Sequence, residues 1–251
     1  MRGAYFLAWT LLRSNDVRMI VYTRDIPDDD PHRLQMVEWG VEFRSMPSEV
    51  SGDVFFEMTW NKPAAIADAM IDNERVLWLD SDTSVAKSVA GAFEIIDQHV
   101  FGSDHGIFPA DSQNHPDVWR LLGEPKRKWD IGRYPTAGVI GFKSGRDDEL
   151  ISEWRRRVRV IVEHPEMWDQ DRSESPACKL KYHDQGVLQD LLVDDAADGT
   201  IWSNFQVRRE GTVAELMRQT YGYDRHVVCH YGGPLKPWFG WDDVLRWDCP
   251  F

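Results

Sequence analysis

The chain has 251 residues, 29 of them lysine or arginine and 42 aspartate or glutamate, for a formal charge of −13. That length buries a full core in a single domain over 1–251, and the acidity excludes nucleic acid or an anionic membrane as the main partner. Cys178, Cys229 and Cys249 make neither a CxxC pair nor zinc-type spacing, so they read as reduced residues of a cytoplasmic protein.

The apolar run Gly3 to Leu12 is too short to span a bilayer and lacks a clear cleavage site; its helical periodicity, to Arg13, makes it a helix of the fold. A β-like run Val17 to Thr23, a turn cluster Pro27 to Pro31, a helix His32 to Trp39 and a strand Val41 to Ser45 follow. Asn61-Lys62-Pro63 reads as a helix start, Asn as cap and Pro in the first turn, and the helix runs to Met70 before the strand Val76 to Leu79. Beyond come a helix Val89 to Asp97, a strand Ile107 to Ala110, a polar stretch to Tyr134, a strand Gly138 to Phe142 and a helix Asp147 to His164. A surface loop Pro165 to Lys181, a helix Gln185 to Leu192 and strands at Ile201 and Val227 to His230 complete the pattern. Strands separated by helices predict an α/β fold with a largely parallel, Rossmann-like sheet and ligands at the carboxyl ends of its strands. Most of the twelve tryptophans are expected in the core.

At one such end, Arg75-Val-Leu-Trp-Leu-Asp-Ser-Asp-Thr83 carries two aspartates one residue apart. Strand alternation points Asp80 and Asp82 the same way, and paired hard oxygen ligands suit Mg²⁺ or Mn²⁺ bridging a nucleotide's phosphates. Near the C-terminus a second strand ends in His230, followed by Gly232-Gly233 and Lys236. A neutral imidazole suits a metal shell, glycine amides suit phosphate oxygens, and a compact ammonium suits charge on a leaving diphosphate.

Four blocks in order resemble glycosyltransferase family 8, the family of glycogenin, galactinol synthase and bacterial lipopolysaccharide glycosyltransferases. Val76 to Val85 looks like its DxD block, Tyr134 to Phe142 like its NxG strand, His183-Asp-Gln-Gly-Val-Leu-Gln189 like its DQ block, and His230 to Trp238 like its terminal HxxGxxKPW. The resemblance implies a GT-A fold and a retaining transfer of a sugar from a nucleotide diphosphate donor, usually UDP-linked, to a hydroxyl acceptor, with Mn²⁺ as cofactor. By the same likeness Asp80, Asp82 and His230 would ligate the metal. Lys62, Asp80, Ser81, Asp82, Thr136, Gly138, Gly233 and Lys236 would contact the donor, and Asp184, Gln185 and Lys236 would carry the catalytic part. A front-face mechanism, with the leaving phosphate taking the acceptor's proton, demands no general base.

Two departures set further expectations. Thr136 stands where the family commonly has Asn, and its hydroxyl cannot reproduce an amide's donor and acceptor pair, so sugar or acceptor specificity is expected to differ. Family members open with a strand before a helix like Arg2 to Ser14, so the first strand is expected to be missing from the sheet. That leaves a non-catalytic relic as a second reading. A third is a haloacid-dehalogenase-type phosphatase, whose DxDx(T/V) motif Leu79 to Ser84 approaches; the motif's place far into the chain and the lack of a downstream paired-acid block speak against it. Asp184 has a competing role as cap of the helix that follows, Tyr231 and Trp238 as packing, and Trp154-Arg-Arg-Arg-Val-Arg159 as a solvated helix face.

Overall fold

The computed structural model describes residues 1–52, 54–107, 115–123, 133–168, 179–180, 183–192, 201–202, 205–206 and 227–230. α1 (Arg2–Leu12) buries Phe6, Leu7 and Leu11 on one face, then the chain enters β1 (Ile20–Thr23). Val17 to Met19 lie outside that strand. Asp30 caps α2 (Pro31–Glu38) by accepting from the amides of His32 and Arg33, with Pro31 in the first turn where no donor is needed. β2 (Glu42–Ser45) returns parallel to β1.

Asn61 departs from expectation. α3 (Val54–Trp60), absent from the sequence reading, runs into α4 (Lys62–Asp72), so Asn61 has near-helical backbone and caps nothing. Its amide instead accepts from the backbone N–H of Glu49 and Val50 and donates to the Val50 carbonyl, pinning a loop.

β3 (Arg75–Leu79) is followed at once by β4 (Thr83–Val85), and α5 (Ala90–Ile96) leads to β5 (Phe101–Ile107). β5 was expected at Ile107 to Ala110; its ladder with β6 (Arg133–Lys143) recruits the earlier residues, and Phe108 to Ala110 lie outside the described residues. The polar stretch between them hides α6 (Pro116–Leu122), started by Pro116 and stopped by Gly123 at φ 76°, a left-handed cap that glycine adopts freely. α7 (Asp148–Val162), the single turn α8 (Pro165–Trp168) inside the expected loop, and α9 (Asp184–Leu191) follow. β7 (Ile201–Trp202), β8 (Phe205–Gln206) and β9 (Val228–His230) close the described chain.

The α/β class stands, with mixed ladders. β1–β2, β5–β7 and β8–β9 are parallel; β6 runs antiparallel to both β3 and β5, and β4 antiparallel to β9. Helices cover both faces. Met19, Val21, Leu77 and Leu79 pack with Leu7 and Leu11 of α1 on one side, while Ile20, Tyr22, Val76 and Trp78 meet Ala65 and Ala69 of α4 on the other. Among the described residues β1 and β3 are both edge strands of separate ladders. A charged network ties the two together: Arg18 contacts Glu42, Asp72 and Asn73, and Arg44 contacts Asp68 and Asp72.

Of the tryptophans with described side chains, Trp60, Trp119 and Trp154 are buried while Trp9, Trp39, Trp78 and Trp168 are half-buried, so fewer of these than expected lie in the core. The arginine cluster around Trp154 is only partly a solvated face. Arg157 is buried and pairs with Glu153 at 2.8 Å, while Arg155 pairs with Glu49. Hydrogen bonds from Arg156 and Arg157 hold the Glu153 carboxyl down to about 2. A depressed acid stabilises the fold above its unfolded pKa and loses that contribution as pH falls through the folded value. With Glu153 about a third exposed, solvent screening discounts the pair, so Glu153→Gln should cost about 1 kcal/mol at neutral pH. Urea melts should show the difference vanish as pH falls toward about 2.

Candidate active site

Leu79 is the last strand residue, so alternation along β3 does not by itself orient both aspartates. Asp80-Ser81-Asp82 form a turn in which the amide and hydroxyl of Thr83 both donate to the Asp80 carbonyl, at 3.0 and 2.8 Å. That turn starts β4, whose first residue Thr83 pairs with His230 in β9. The ladder therefore brings the two sequence motifs together. Single ligand atoms of Asp80, Asp82 and His230 lie within 4.8 Å of one another, and His230 Nε2 stands 3.2 Å from Asp82 Oδ1. Two carboxylate oxygens and an imidazole nitrogen suit a divalent ion such as Mn²⁺. His230 Nδ1 is buried and has no hydrogen-bond partner among the described residues.

Lys62 sits behind this turn. Its ammonium lies 3.1 Å from Asp80 Oδ1 and from Asp184 Oδ2 and donates to the Ala137 carbonyl at 3.2 Å. Burial opposes its charge, yet the Asp184 and Asp80 carboxylates outweigh burial and hold the ammonium above the ordinary lysine range. For Asp184, burial lifts the carboxyl above its usual range and Lys62 partly offsets the lift. The Trp78 indole donates to Asp80 Oδ1 at 2.7 Å, so Asp80 is gripped by two neighbours.

α9 presents the third block. Asp184 is within the helix rather than capping it; His183 takes the cap position with φ 50°, a left-handed backbone that only the surrounding structure holds for a non-glycine residue. The Trp154 indole donates to the Asp184 carbonyl, tying α9 to α7. Gln185 Oε1 accepts from the Ala137 amide at 3.1 Å. Gln185 and Lys62 thus clamp the two ends of one residue's backbone in β6. Thr136 turns its hydroxyl inward to the Gly138 amide.

Gly138 has a steric reason to be glycine. A Cβ there would stand 2.4 Å from His230 Cε1. Gly138→Ala should push the imidazole out of the cluster and weaken Mn²⁺ binding about 10- to 100-fold, measured by metal titration, with the fold retained.

The structure brings together Lys62, Asp80, Asp82, Thr136, Gly138, Asp184, Gln185 and His230, and leaves Ser81 exposed at the turn. Gly233 and Lys236, with Tyr231 and Trp238, lie outside the described residues. Sequence reading missed Trp78 and the Ala137 backbone. The Trp78 partnership was findable, since an indole donor two residues before Asp80 is within reach of its carboxylate. A cavity of about 520 Å³ opens at Asp80, Ser81 and Asp82 and runs back between β1 and β3.

No protein-family model matches the sequence, and no curated protein matches it. Solved structures do. The WbbM bifunctional glycosyltransferase aligns over 94% of this chain at 14% identity with a TM-score of 0.60, and this chain spans less than half of its length, 44%. The galactosyltransferase LgtC, solved with donor and acceptor sugar analogues, aligns over 94% of this chain and 85% of its own at 18% identity and a TM-score of 0.53. The glycosyltransferase GlyE of Streptococcus pneumoniae aligns over 95% and 53%, at 17% identity and a TM-score of 0.50. Such identities speak for architecture alone, and the architecture is the GT-A fold of glycosyltransferases.

Proposed function

We propose that the chain is a metal-dependent, retaining glycosyltransferase of the family 8 type, moving a hexose from UDP to a hydroxyl on a glycan, lipid or protein. One observation carries this reading: Asp80 and Asp82, which line a cavity in a GT-A fold, converge with His230. Asp80, Asp82 and His230 would hold a Mn²⁺ or Mg²⁺, which would supply positive charge against the leaving diphosphate. Lys62 and Trp78 orient Asp80 for that task. Asp184 and Gln185 stand beside the donor sugar, with Ser81, Thr136 and Gly138 framing it. By the family resemblance, Gly233 and Lys236 would contact the diphosphate. The acceptor hydroxyl attacks on the face from which UDP departs and passes its proton to the leaving phosphate oxygen, so the configuration is retained without a protein base.

Among the described residues no helix is long and apolar enough to cross a membrane, and three cysteines without CxxC or zinc-type spacing support a cytoplasmic enzyme. The test is calorimetric titration of UDP with and without Mn²⁺, followed by UDP-hexose hydrolysis. Binding that requires Mn²⁺ supports the proposal; absence of binding in both conditions overturns it. The separate ladders favour one second reading, a relic that binds without turnover, and measurable hydrolysis of any UDP-hexose removes it.

A further inference from the structure

His183 holds a backbone that a side chain disfavours. Its φ of 50° and ψ of −121° are the mirror image of an extended conformation, a region that glycine enters freely and that a β-carbon makes strained. The strain sits at the entry to α9, immediately before Asp184 and Gln185. A helix entered through an ordinary extended residue carries no such strain, so the surroundings hold His183 away from that conformation. A file of rings supplies the hold. The imidazole meets Trp60 edge to face at 5.8 Å, Trp60 meets Trp168 in the same way at 5.7 Å, and the Trp168 indole donates to the Ile161 carbonyl of α7 at 3.1 Å. Trp60 is buried, so the core fixes the ring it presents. Burial also keeps the His183 imidazole below the ordinary histidine range, which makes it a neutral ring against the indole at neutral pH.

Three successive side chains leave this entry for three different elements. His183 packs on Trp60, Asp184 pairs with Lys62 two residues further along the α3–α4 junction, and Gln185 reaches Ala137 in β6. The last contact fixes an amide. A backbone N–H can only donate, so the Ala137 bond holds Gln185 Oε1 and leaves Nε2 on the other side, buried and without a hydrogen-bond partner among the described residues. An amide at liberty to turn would not keep a buried donor unpaired, since that costs about as much as a lost hydrogen bond. The orientation is imposed by the Ala137 bond and by the backbone that carries Gln185.

We propose that His183 is a positioning residue: its ring, packed on Trp60, keeps the entry to α9 in the strained conformation that turns Asp184 toward Lys62 and Gln185 toward Ala137. The strain is then the means by which two adjacent side chains are aimed at two different walls of the site. Its consequence for turnover rests on the reaction proposed above; the positioning itself does not, since its readout needs no nucleotide.

Residue-resolved hydrogen exchange of the Ala137 amide tests it, with the Ile140 amide of the same strand, opposite Trp78 in the β3–β6 ladder, as the reference. His183→Ala removes the ring and keeps the strain, so the entry should relax and Ala137 should exchange at least about tenfold faster relative to Ile140. His183→Phe keeps a neutral ring and His183→Gly removes the strain, so both should hold Ala137 within about threefold of the wild type. An Ala137 amide as slow in His183→Ala as in the wild type overturns the proposal, as does one as fast in either other variant as in His183→Ala. Equal acceleration of Ile140 overturns it too, because that is a general loosening. In UDP-hexose hydrolysis His183→Ala should lower kcat about tenfold and leave KM within about twofold. A wild-type protein without hydrolysis overturns the reaction, and the positioning then stands or falls on the amide.

Discussion

Asp82→Ala should lower the Mn²⁺-dependent affinity for UDP by at least about a hundredfold, because loss of a ligand exceeds the 10- to 100-fold cost of losing an outer-shell partner. Asp82 is suited to a clean test. It sits on a turn, its side chain keeps 18% exposure, and it meets the His230 imidazole in the cluster. At a half-buried turn position its removal should change apo stability by less than about 1 kcal/mol. Calorimetry reads the first quantity and urea denaturation the second. Undiminished Mn²⁺-dependent binding in the variant would remove Asp82 from the ion and with it the proposed site.

Lys62→Met should behave in the opposite way, with stability falling by about 3–5 kcal/mol. The substitution keeps an apolar stem of similar length but leaves the Asp184 carboxylate buried without its cation and the Ala137 carbonyl without that donor. Asp184 then has burial and the nearby Asp80 pushing its carboxyl upward, with no Lys62 to oppose them. An acid with a raised folded pKa stabilises the fold fully below its unfolded pKa and loses that contribution as pH rises through the folded value. The deficit of the variant should therefore be small near about pH 4 and grow toward about pH 7, in denaturant melts at each pH. Lys62→Met with Asp184→Asn should recover much of the loss, since the second change removes the stranded charge. A deficit that is flat with pH and unrelieved by the double variant would show that Lys62 acts through packing alone.

Much of this arrangement was legible in the residues. The four motif blocks gave the fold and named Asp80, Asp82, His230, Asp184 and Gln185, because short-range patterns such as a strand ending in Asp-Ser-Asp survive in linear form. What sequence could not show were relations set by tertiary contacts. Asn61 has the chemistry of a cap, but a continuous α3–α4 backbone removed the free amides it would have capped. Asp184 likewise has the chemistry of a cap, and a buried ammonium from α4 claimed its carboxylate instead. β4 is three residues long and owes its existence to β9, so no local signal could announce it. Gly138 looks like any strand glycine until the His230 ring is placed against it.

The β4–β9 ladder also bears on how the molecule comes apart. It joins Thr83 to His230 across most of the chain, so loop closure makes it among the costliest contacts to form early, and folding nuclei built from nearer neighbours will not contain it. An ion held between Asp82 and His230 would fasten the chain's middle to its distal portion only after the rest has assembled. Added manganese should then act as a brake on opening: the unfolding rate slows while the refolding rate hardly moves.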